Sequence, residues 1–257
     1  MIKKCVVFLG YATGEGEMVP TATGFLVNIN SIFHLVTAKH VIHNKASNLP
    51  TDENMFIFLN GMDGEIYGRT IKEIKQMYKV NWIFHKDREV DVAIIPFGLD
   101  DATDDVRFIP NSLFQGVDHL YETYEVFFLS YQPGITFKKR ISPIIRTGMI
   151  SLMNEDKTFF IDAPAFPGNS GGSVFLQPSL LFDKSVSTIG GGKLIGIIGS
   201  YLPYEDRAYS RQTGNLRVVF EENTDLSKVW GVSFLNDIIE SEEFKDQVTK
   251  IGKLNPQ

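Results

Sequence analysis

Short hydrophobic or alternating runs recur along the whole chain and are separated by turn-forming residues. Such runs predict β-strands, because a half-buried strand alternates and a fully buried strand is continuously apolar. Asn60-Gly61 and Asp63-Gly64 stand between two runs and are typical of a β-hairpin. The predicted strands are Cys5–Leu9, Phe33–Thr37, Met55–Leu59, Glu65–Tyr67, Val80–Phe84, Asp91–Phe97, Glu125–Ser130, Phe159–Ile161, Ser173–Leu176 and Val218–Phe220. Many short strands at this spacing indicate an all-β sandwich or barrel.

Three segments depart from the strand pattern. Leu235–Thr249 predicts an amphipathic helix, since its apolar residues fall close to one helical face. Gly98–Gln115 predicts a linker, because Asp100–Asp105 interrupts the apolar pattern. Leu202–Val229 is long and polar and predicts a surface loop, with contact to a substrate or partner as the alternative.

Composition narrows the possible partners and location. The net charge is −6 and no block of Lys and Arg stands out, which argues against a nucleic-acid partner. A single cysteine excludes a disulfide within the chain. No run approaches the roughly 18 consecutive apolar residues of a membrane span. Cys5–Leu9 is also too short for the apolar core of a signal peptide. We therefore expect no membrane partner and a cytoplasmic location.

The most informative motif is a serine between glycines, Pro167-Gly168-Asn169-Ser170-Gly171-Gly172. A serine hydroxyl becomes a nucleophile when a base takes its proton and backbone N–H groups stabilise the developing oxyanion. Glycines let the backbone turn tightly and let a substrate carbonyl approach. Alone, the motif is equally compatible with an ordinary glycine-rich turn.

Two other residues complete a possible catalytic group. His40 follows an apolar strand that ends in Thr-Ala, where a rigid scaffold can direct its side chain into a cleft. Asp91 opens a buried strand, a position usually occupied by a turn or capping residue. Together with Ser170, they fit a histidine base oriented by an aspartate. The weaker candidates are His34, His43, His85 and His119 for the base, Asp87 and Glu89 for the carboxylate, and Cys5 for the nucleophile.

These motifs resemble the trypsin/chymotrypsin superfamily of serine peptidases, and most closely the protease core of bacterial HtrA-like enzymes. The order is Thr37-Ala38-Lys39-His40, then Asp91-Val92-Ala93-Ile94, then Gly168-Asn169-Ser170-Gly171-Gly172. The match runs from about Thr21 to about Glu240, and we expect no PDZ domain in this sequence. Supporting segments are Thr23–Val27, Tyr131–Gly134, Arg146–Ser151, Ile161–Ala165, Leu194–Ile198 and Gly231–Phe234.

The resemblance implies a chymotrypsin-like all-β fold with two antiparallel six-stranded barrels, a C-terminal helix and an active site between the barrels. Residues 1–105 are expected to form the barrel that carries His40 and Asp91. Residues 106–257 are expected to form the barrel that carries Ser170, and the two together one peptidase unit.

The resemblance also implies a catalytic triad of His40, Asp91 and Ser170. The oxyanion hole would lie at Gly168, Asn169 and Ser170, with its N–H donors on Gly168 and Ser170. No metal or cofactor is implied. The substrate would be a polypeptide, and the oligomeric state stays open. Digestive relatives carry an aspartate where this chain has Asn169. Activation by N-terminal cleavage is therefore not expected, and loops or an activating protein partner could shape the hole instead.

The same resemblance bears on specificity. Trypsin-like enzymes carry an acid six residues before the nucleophile, and this chain has Pro164 there, so no buried carboxylate awaits a Lys or Arg. Asp162 lies nearby, with a scaffold role expected and a pocket role as the alternative. We expect cleavage after small or apolar residues. The predicted pocket residues are Pro164, Ala165, Phe166, Pro167, Ile198, Gly199 and Ser200.

Two other functions compete with a serine endopeptidase. A latent or non-catalytic partner-binding module could keep the triad on the same fold while its oxyanion hole stays collapsed. An α/β-type acyl hydrolase would share the Gly-x-Ser-x-Gly pattern. Its histidine comes last, however, and no histidine follows Ser170 in this chain.

Overall fold

The computed structural model describes residues 2–44, 47, 49–135, 139–178 and 192–254. Most of the elements are strands, as the sequence predicts. The strands are β1 (Val6–Ala12), β2 (Met18–Ile29), β3 (Ile32–Thr37), β4 (His43–Asn44), β5 (Leu49–Pro50), β6 (Phe56–Asn60), β7 (Ile66–Thr70), β8 (Ile83–Phe84), β9 (Ala93–Pro96), β10 (Ile109–Pro110), β11 (Glu125–Ser130), β12 (Ile144–Met153), β13 (Thr158–Asp162), β14 (Ser173–Leu176), β15 (Leu194–Tyr209) and β16 (Leu216–Gly231). The helices are α1 (Lys39–Ile42), α2 (Ile71–Tyr78), α3 (Val232–Ile239) and α4 (Glu242–Leu254), and single 3₁₀ turns lie at Ile2–Cys5, Asn111–Leu113 and Val117–His119.

The second half of the chain forms one of the two predicted barrels. Strands β11, β12, β13, β16, β15 and β14 pair in that order into a closed, antiparallel six-stranded barrel. Buried side chains of these strands, including Phe128, Phe159 and Ile195, fill its interior. Alternation along each strand directs one set of residues inward, so the short apolar runs of the sequence become the barrel core.

The first half forms an open sheet among the described residues, not the closed six-stranded barrel that the resemblance implies. Its strands follow the order β7-β6-β1-β2-β3-β9-β8, and β10 adds to β2 in parallel. The sheet is open at β7 and β8, its two end strands, which do not pair with each other. β7 runs directly into α2, and β8 is only two residues long. The division at residues 105 and 106 stays a prediction, and β10 beyond it still pairs with the first sheet.

Strands β15 and β16 extend far beyond the barrel, where the sequence predicted a loop over Leu202–Val229. Each strand has 16 residues, and they pair from Gly196 with Gly231 out to Tyr209 with Leu216. We call residues 202–224 the hairpin arm. Its side chains are almost all exposed, so the polar pattern that indicated a loop reflects a two-stranded ribbon that lacks a covering layer.

The single helical prediction needs correction, and helices α1 and α2 were not predicted. The helix predicted over Leu235–Thr249 is two helices, α3 and α4. They are separated at Ser241, whose hydroxyl donates to Ile238 O and accepts from Phe244 N, capping the second helix. The sequence analysis missed α2. Its signal was a capping box, in which Thr70 and Glu73 bond each other's backbone N–H groups. Among the described residues, no helix combines the length and apolar character needed to cross a membrane.

Candidate active site

His40 and Asp91 meet through two hydrogen bonds. The backbone N–H of His40 donates to Asp91 Oδ1 at 2.7 Å, and His40 Nδ1 lies 2.6 Å from Asp91 Oδ2. An ionised carboxylate only accepts, so Nδ1 carries the proton and donates. Nε2 of the neutral ring is then left with its lone pair, the arrangement that a general base requires.

The strand register brings these two residues together. β3 and β9 are antiparallel, and Thr37 at the end of β3 pairs with Ala93 at the start of β9. His40 follows that pair on one strand and Asp91 precedes it on the other, so both emerge at the same edge of the sheet. Helix α1 begins there at Lys39 without a side-chain cap of its own. Asp91 accepts from an N–H in its first turn and so acts as the cap.

Asp91 also sets the acidity of the histidine. Partial burial of the ring opposes protonation, but the hydrogen bond to Asp91 and the negative charge of its carboxylate outweigh it. The pKa of His40 is therefore raised above its ordinary value of 6.5. The raised pKa means that Asp91 stabilises the charged ring, the form that arises when the base accepts a proton.

Ser170 lies in two consecutive tight turns between β13 and β14. In the first, Asn169 N donates to Phe166 O at 2.9 Å; in the second, Gly172 N donates to Asn169 O at 2.9 Å. The third residue of each turn, Gly168 or Gly171, has a φ of +97° or +83°. An i to i+3 bond with a positive φ at the third position defines a type II turn, which favours glycine there. The glycines of the motif are therefore required by the turns.

The side chain of Asn169 braces this segment from within. It is fully buried, and its Oδ1 accepts from Phe166 N at 2.9 Å while its Nδ2 donates to Tyr131 O. Among the described residues, the backbone N–H groups of Gly168 and Ser170 donate to no protein acceptor. Two unengaged donors beside a serine hydroxyl can stabilise an oxyanion.

Ser170 and His40 line one cleft of about 320 Å³. The Ser170 hydroxyl donates to Gly199 O at 3.1 Å, so it is bonded to the cleft wall and not to His40 among the described residues. Six of the seven predicted pocket residues line this cleft, and Pro164 does not. The lining residues are His40, Ala165, Phe166, Pro167, Ser170, Ile198, Gly199, Ser200, Tyr201, Pro203 and Glu221.

Glu221 and Pro203 in this cleft were not predicted, because they belong to the hairpin arm. Glu221 accepts a hydrogen bond from the Tyr201 hydroxyl at 2.5 Å and is the single carboxylate among the described lining residues. The sequence did suggest that residues 202–229 could contact a substrate. The strand register, which sequence reasoning missed, places Glu221 opposite Glu205 at the base of the arm.

A larger cleft of about 1140 Å³ adjoins the same histidine. Segment 84–91 of the first half lies on one side, and Ser200, Lys228 and Trp230 of the barrel lie on the other. This groove between the two halves lies next to the serine cleft, and the two share His40 and Ser200.

The competing candidates lie elsewhere or are engaged differently. His34 is buried beneath Phe244, His119 is exposed in a 3₁₀ turn, and Cys5 is buried, which raises the pKa of its thiol to about 11. His43 and His85 line the larger cleft, where His85 Nδ1 accepts from Asp87 N.

Glu89 N donates to Asp87 Oδ1, and both residues are exposed. Asp162 lines neither cleft. Within the described ranges, no three His, Cys, Asp or Glu side chains are grouped as metal ligands would be.

Comparison with known proteins places this geometry in a family. The model of the trypsin-like peptidase domain matches residues 22–179, well over half of the chain, which includes His40, Asp91 and Ser170. No curated protein sequence matches the chain.

Solved structures share the fold at low sequence identity. The serine protease AL20 from an extremophilic microorganism is 13% identical with a TM-score of 0.54, covering 96% of this chain and 98% of that one. The protease Anisep from Arthrobacter nicotinovorans is 13% identical with a TM-score of 0.54, covering 92% and 94%. The Yersinia pestis serine endoprotease is 16% identical with a TM-score of 0.52, covering 95% of this chain and 64% of that one. The family match spans both halves of the chain and agrees with the fold that the solved structures share: the chain belongs to the trypsin-like peptidases.

Proposed function

We propose that the chain hydrolyses peptide bonds through an acyl-enzyme, with His40, Asp91 and Ser170 as its catalytic triad. The carrying observation is the two-point contact between Asp91 and His40 at the cleft that also holds Ser170. Asp91 orients the ring and stabilises its charged form, and Nε2 keeps the lone pair with which the ring can accept a proton as the base.

The three side chains and one water molecule account for every bond and proton of the reaction. Ser170 Oγ bonds to the substrate carbonyl carbon while its proton moves to His40 Nε2, and the carbonyl oxygen becomes an oxyanion. When the C–N bond breaks, His40 returns the proton to the leaving amine and an ester to Ser170 remains. Water then repeats the steps on this ester, which frees the carboxylic acid and the serine.

Gly168 N–H and Ser170 N–H are proposed as the oxyanion donors. Both are without a described acceptor, on either side of the braced residue Asn169. Removal of one such donor in another protease costs about 3–4 kcal/mol of transition-state stabilisation. Before attack, the Ser170 hydroxyl must leave its bond to Gly199 O and turn to His40.

The lining of the smaller cleft supports cleavage after small or apolar residues. Ala165, Phe166, Pro167 and Ile198 present apolar surface beside Ser170. A digest of a peptide library, read by mass spectrometry, tests this expectation. Cleavage mainly after Lys or Arg would contradict it and would implicate Glu221, in which case Glu221→Gln should abolish that preference. Glu222→Gln is the matched control, because residue 222 points to the opposite face of the same strand.

A latent binding module on the same fold is the second candidate. The bond from Ser170 Oγ to Gly199 O favours it, because a serine bonded to the wall is not yet bonded to its base. In that case, an activating protein partner would have to turn the serine.

A cytoplasmic location and a polypeptide substrate remain predictions that belong to the proposed peptidase.

A fluorophosphonate probe separates the two candidates. Intact-mass analysis should show one adduct on the wild-type protein and none on Ser170→Ala. Labelling of both proteins would place the adduct on another residue and contradict the assignment of Ser170. Absence of labelling on a folded wild-type protein would favour the latent module.

A further inference from the structure

Thr23 joins both halves of the molecule through its hydroxyl group. Its side chain is fully buried in β2 of the first sheet. The hydroxyl donates to Gly168 O at 2.8 Å and accepts from Tyr131 N at 2.9 Å. Gly168 belongs to the turn before the nucleophile, and Tyr131 directly follows β11 of the barrel. One hydroxyl therefore ties three separate chain segments together at the serine.

The backbone of Thr23 makes two more bonds in the same place. Thr23 N donates to Ser170 O at 3.0 Å, and Thr23 O accepts from the buried hydroxyl of Thr37 at 2.7 Å. The carbonyls of Gly168 and Ser170, on either side of Asn169, are thus both held by the same residue. Four bonds within 3.0 Å leave Thr23 little freedom to move.

These bonds fix the peptide unit between Gly168 and Asn169 at both ends. Its carbonyl oxygen is held by Thr23 Oγ1, and its N–H is held by Phe166 O. The two proposed oxyanion donors, Gly168 N–H and Ser170 N–H, belong to the peptide units immediately before and after it. Each of these neighbouring units shares one Cα atom with the fixed central unit, so that one end of each donor-bearing unit is anchored by it.

From this geometry we infer that Thr23 is a positioning residue that holds the oxyanion turn in its donor-presenting form, an inference that rests on the proposed function. All the bracing bonds come from neutral groups of this chain: the Thr23 hydroxyl, the Asn169 amide and the Phe166 carbonyl. The turn therefore needs neither a charged new N-terminus nor a partner protein to keep its shape.

Loss of the hydroxyl alone should weaken this brace. Thr23→Val keeps nearly the same volume but removes the donor to the buried Gly168 O and the acceptor for Tyr131 N, and losing a buried bond costs much more than losing one that water can replace. Thr23→Ser keeps the donor and the acceptor. Thr23→Cys offers a weak donor and a weak acceptor of similar size.

The test is the second-order rate of labelling by a fluorophosphonate probe, whose phosphoryl oxygen takes the place of the oxyanion. We expect Thr23→Val to lower the rate at least about tenfold, Thr23→Ser to stay within about threefold of wild type, and Thr23→Cys to fall between them. If Thr23→Val does not fold, a higher labelling rate for Thr23→Ser than for Thr23→Cys still tests the inference.

A pH profile distinguishes positioning of the turn from general loosening of the site. Thr23 does not bond His40 or Asp91, so its variants should lower the plateau of the rate and leave the midpoint of the pH profile unchanged. Thr158→Val is the matched control. Thr158 is equally buried, and its hydroxyl likewise donates once, to Asp156, and accepts once, from Asn154. It should lower the melting temperature without changing the labelling rate.

The outcomes separate this inference from the proposed function. Equal rates for wild type and a folded Thr23→Val, or a rate order that follows side-chain size, would overturn the inference alone. Equal losses in Thr23→Val and Thr158→Val would overturn it as well, because the effect would then be general destabilisation. No labelling of the folded wild-type protein would overturn both the proposed function and the preformed turn.

Discussion

Asp91 accepts two hydrogen bonds from His40, one from the backbone N–H to Oδ1 and one from the ring Nδ1 to Oδ2. One carboxylate therefore places the start of α1 and orients the imidazole that the helix carries. The backbone N–H of Lys39 also donates to Asp91 O at 3.3 Å, which ties the two segments at a third place. The position and the tautomer of the proposed base depend on the same residue.

Asp91→Asn should therefore lose activity while the protein stays folded. The amide can still accept from His40 N, but an amide NH₂ facing Nδ1 favours the ring tautomer that protonates Nε2. A triad protease with the corresponding change loses about 10⁴-fold in kcat. We expect a loss of similar order in the rate of fluorophosphonate labelling, with helical and strand content unchanged by circular dichroism.

The pH profile of the wild-type protein gives the same prediction a second readout. The pKa of His40 lies above 6.5, so the labelling rate should rise with pH through a midpoint above that value, as the ring becomes neutral. The residual rate of Asp91→Asn should lose this raised midpoint. A midpoint at or below 6.5 in the wild-type protein would show that Asp91 does not stabilise the charged ring.

Sequence patterns predicted most strands and indicated the residues of the proposed triad, because both depend on local residue order. His40, Asp91 and Ser170 each stand at the end of a strand or in a glycine turn, which alternation and turn residues reveal. Most of the hairpin arm was missed, apart from the predicted strand at Val218–Phe220, because its exposed strands carry no buried face to produce alternation. The bracing by Thr23 and Asn169 was missed because it depends on contacts between residues more than a hundred positions apart or on backbone atoms.

Asn169→Asp tests the amide brace with almost no change in shape. The Nδ2 that donates to Tyr131 O becomes an acceptor, so two oxygens meet in a buried place and a donor is lost. An unpaired buried polar group costs about 1–3 kcal/mol, and more if it is charged. We expect a drop of at least about tenfold in the labelling rate and a lower melting temperature.

Asn60→Asp is the control for that variant. The Asn60 amide also bridges a backbone N–H and a carbonyl, both of Ile141, but it lies away from the oxyanion turn. It should lower stability and leave the labelling rate nearly unchanged. If Asn169→Asp were labelled at the wild-type rate, the amide would have no part in shaping the turn.

Gly171→Ala should strongly destabilise the folded protein. Gly171 has a φ of +83°, and a Cβ there would lie 2.1 Å from Thr23 O and 2.3 Å from Thr37 Oγ1. Both neighbours are buried and hydrogen-bonded, so neither can move aside cheaply. We expect a loss of more than about 4 kcal/mol in the free energy of unfolding, measured by urea denaturation.

Gly16→Ala isolates the backbone part of that effect. Gly16 has a φ of +82°, and a Cβ there would meet nothing within 4 Å. Only the left-handed conformation is penalised, at about 1–2 kcal/mol. A similar cost for both variants would mean that the packing of Gly171 against Thr23 contributes nothing.

The buried His34 makes stability depend on pH independently of catalysis. Burial lowers the pKa of His34 to about 4, opposed in part by the bond from Nδ1 to Ile32 O, and Nε2 is without a partner among the described residues. In the unfolded chain, the pKa returns to about 6.5. Protonation therefore favours unfolding: the neutral ring's contribution is complete above pH 6.5 and is lost as the pH falls toward 4, by about 3 kcal/mol in total.

His34→Phe should remove this dependence, because a phenyl ring can still stack on Phe244, whose ring centre lies 5.0 Å from that of His34. Urea unfolding at pH 7.5 and pH 4.5 measures the difference for both proteins. We expect the variant to lose less stability than the wild type between these two values, since its carboxylates titrate as before and only the histidine is absent. Equal losses would mean that the pKa of His34 is the same in the folded and the unfolded protein, so that its burial does not penalise protonation.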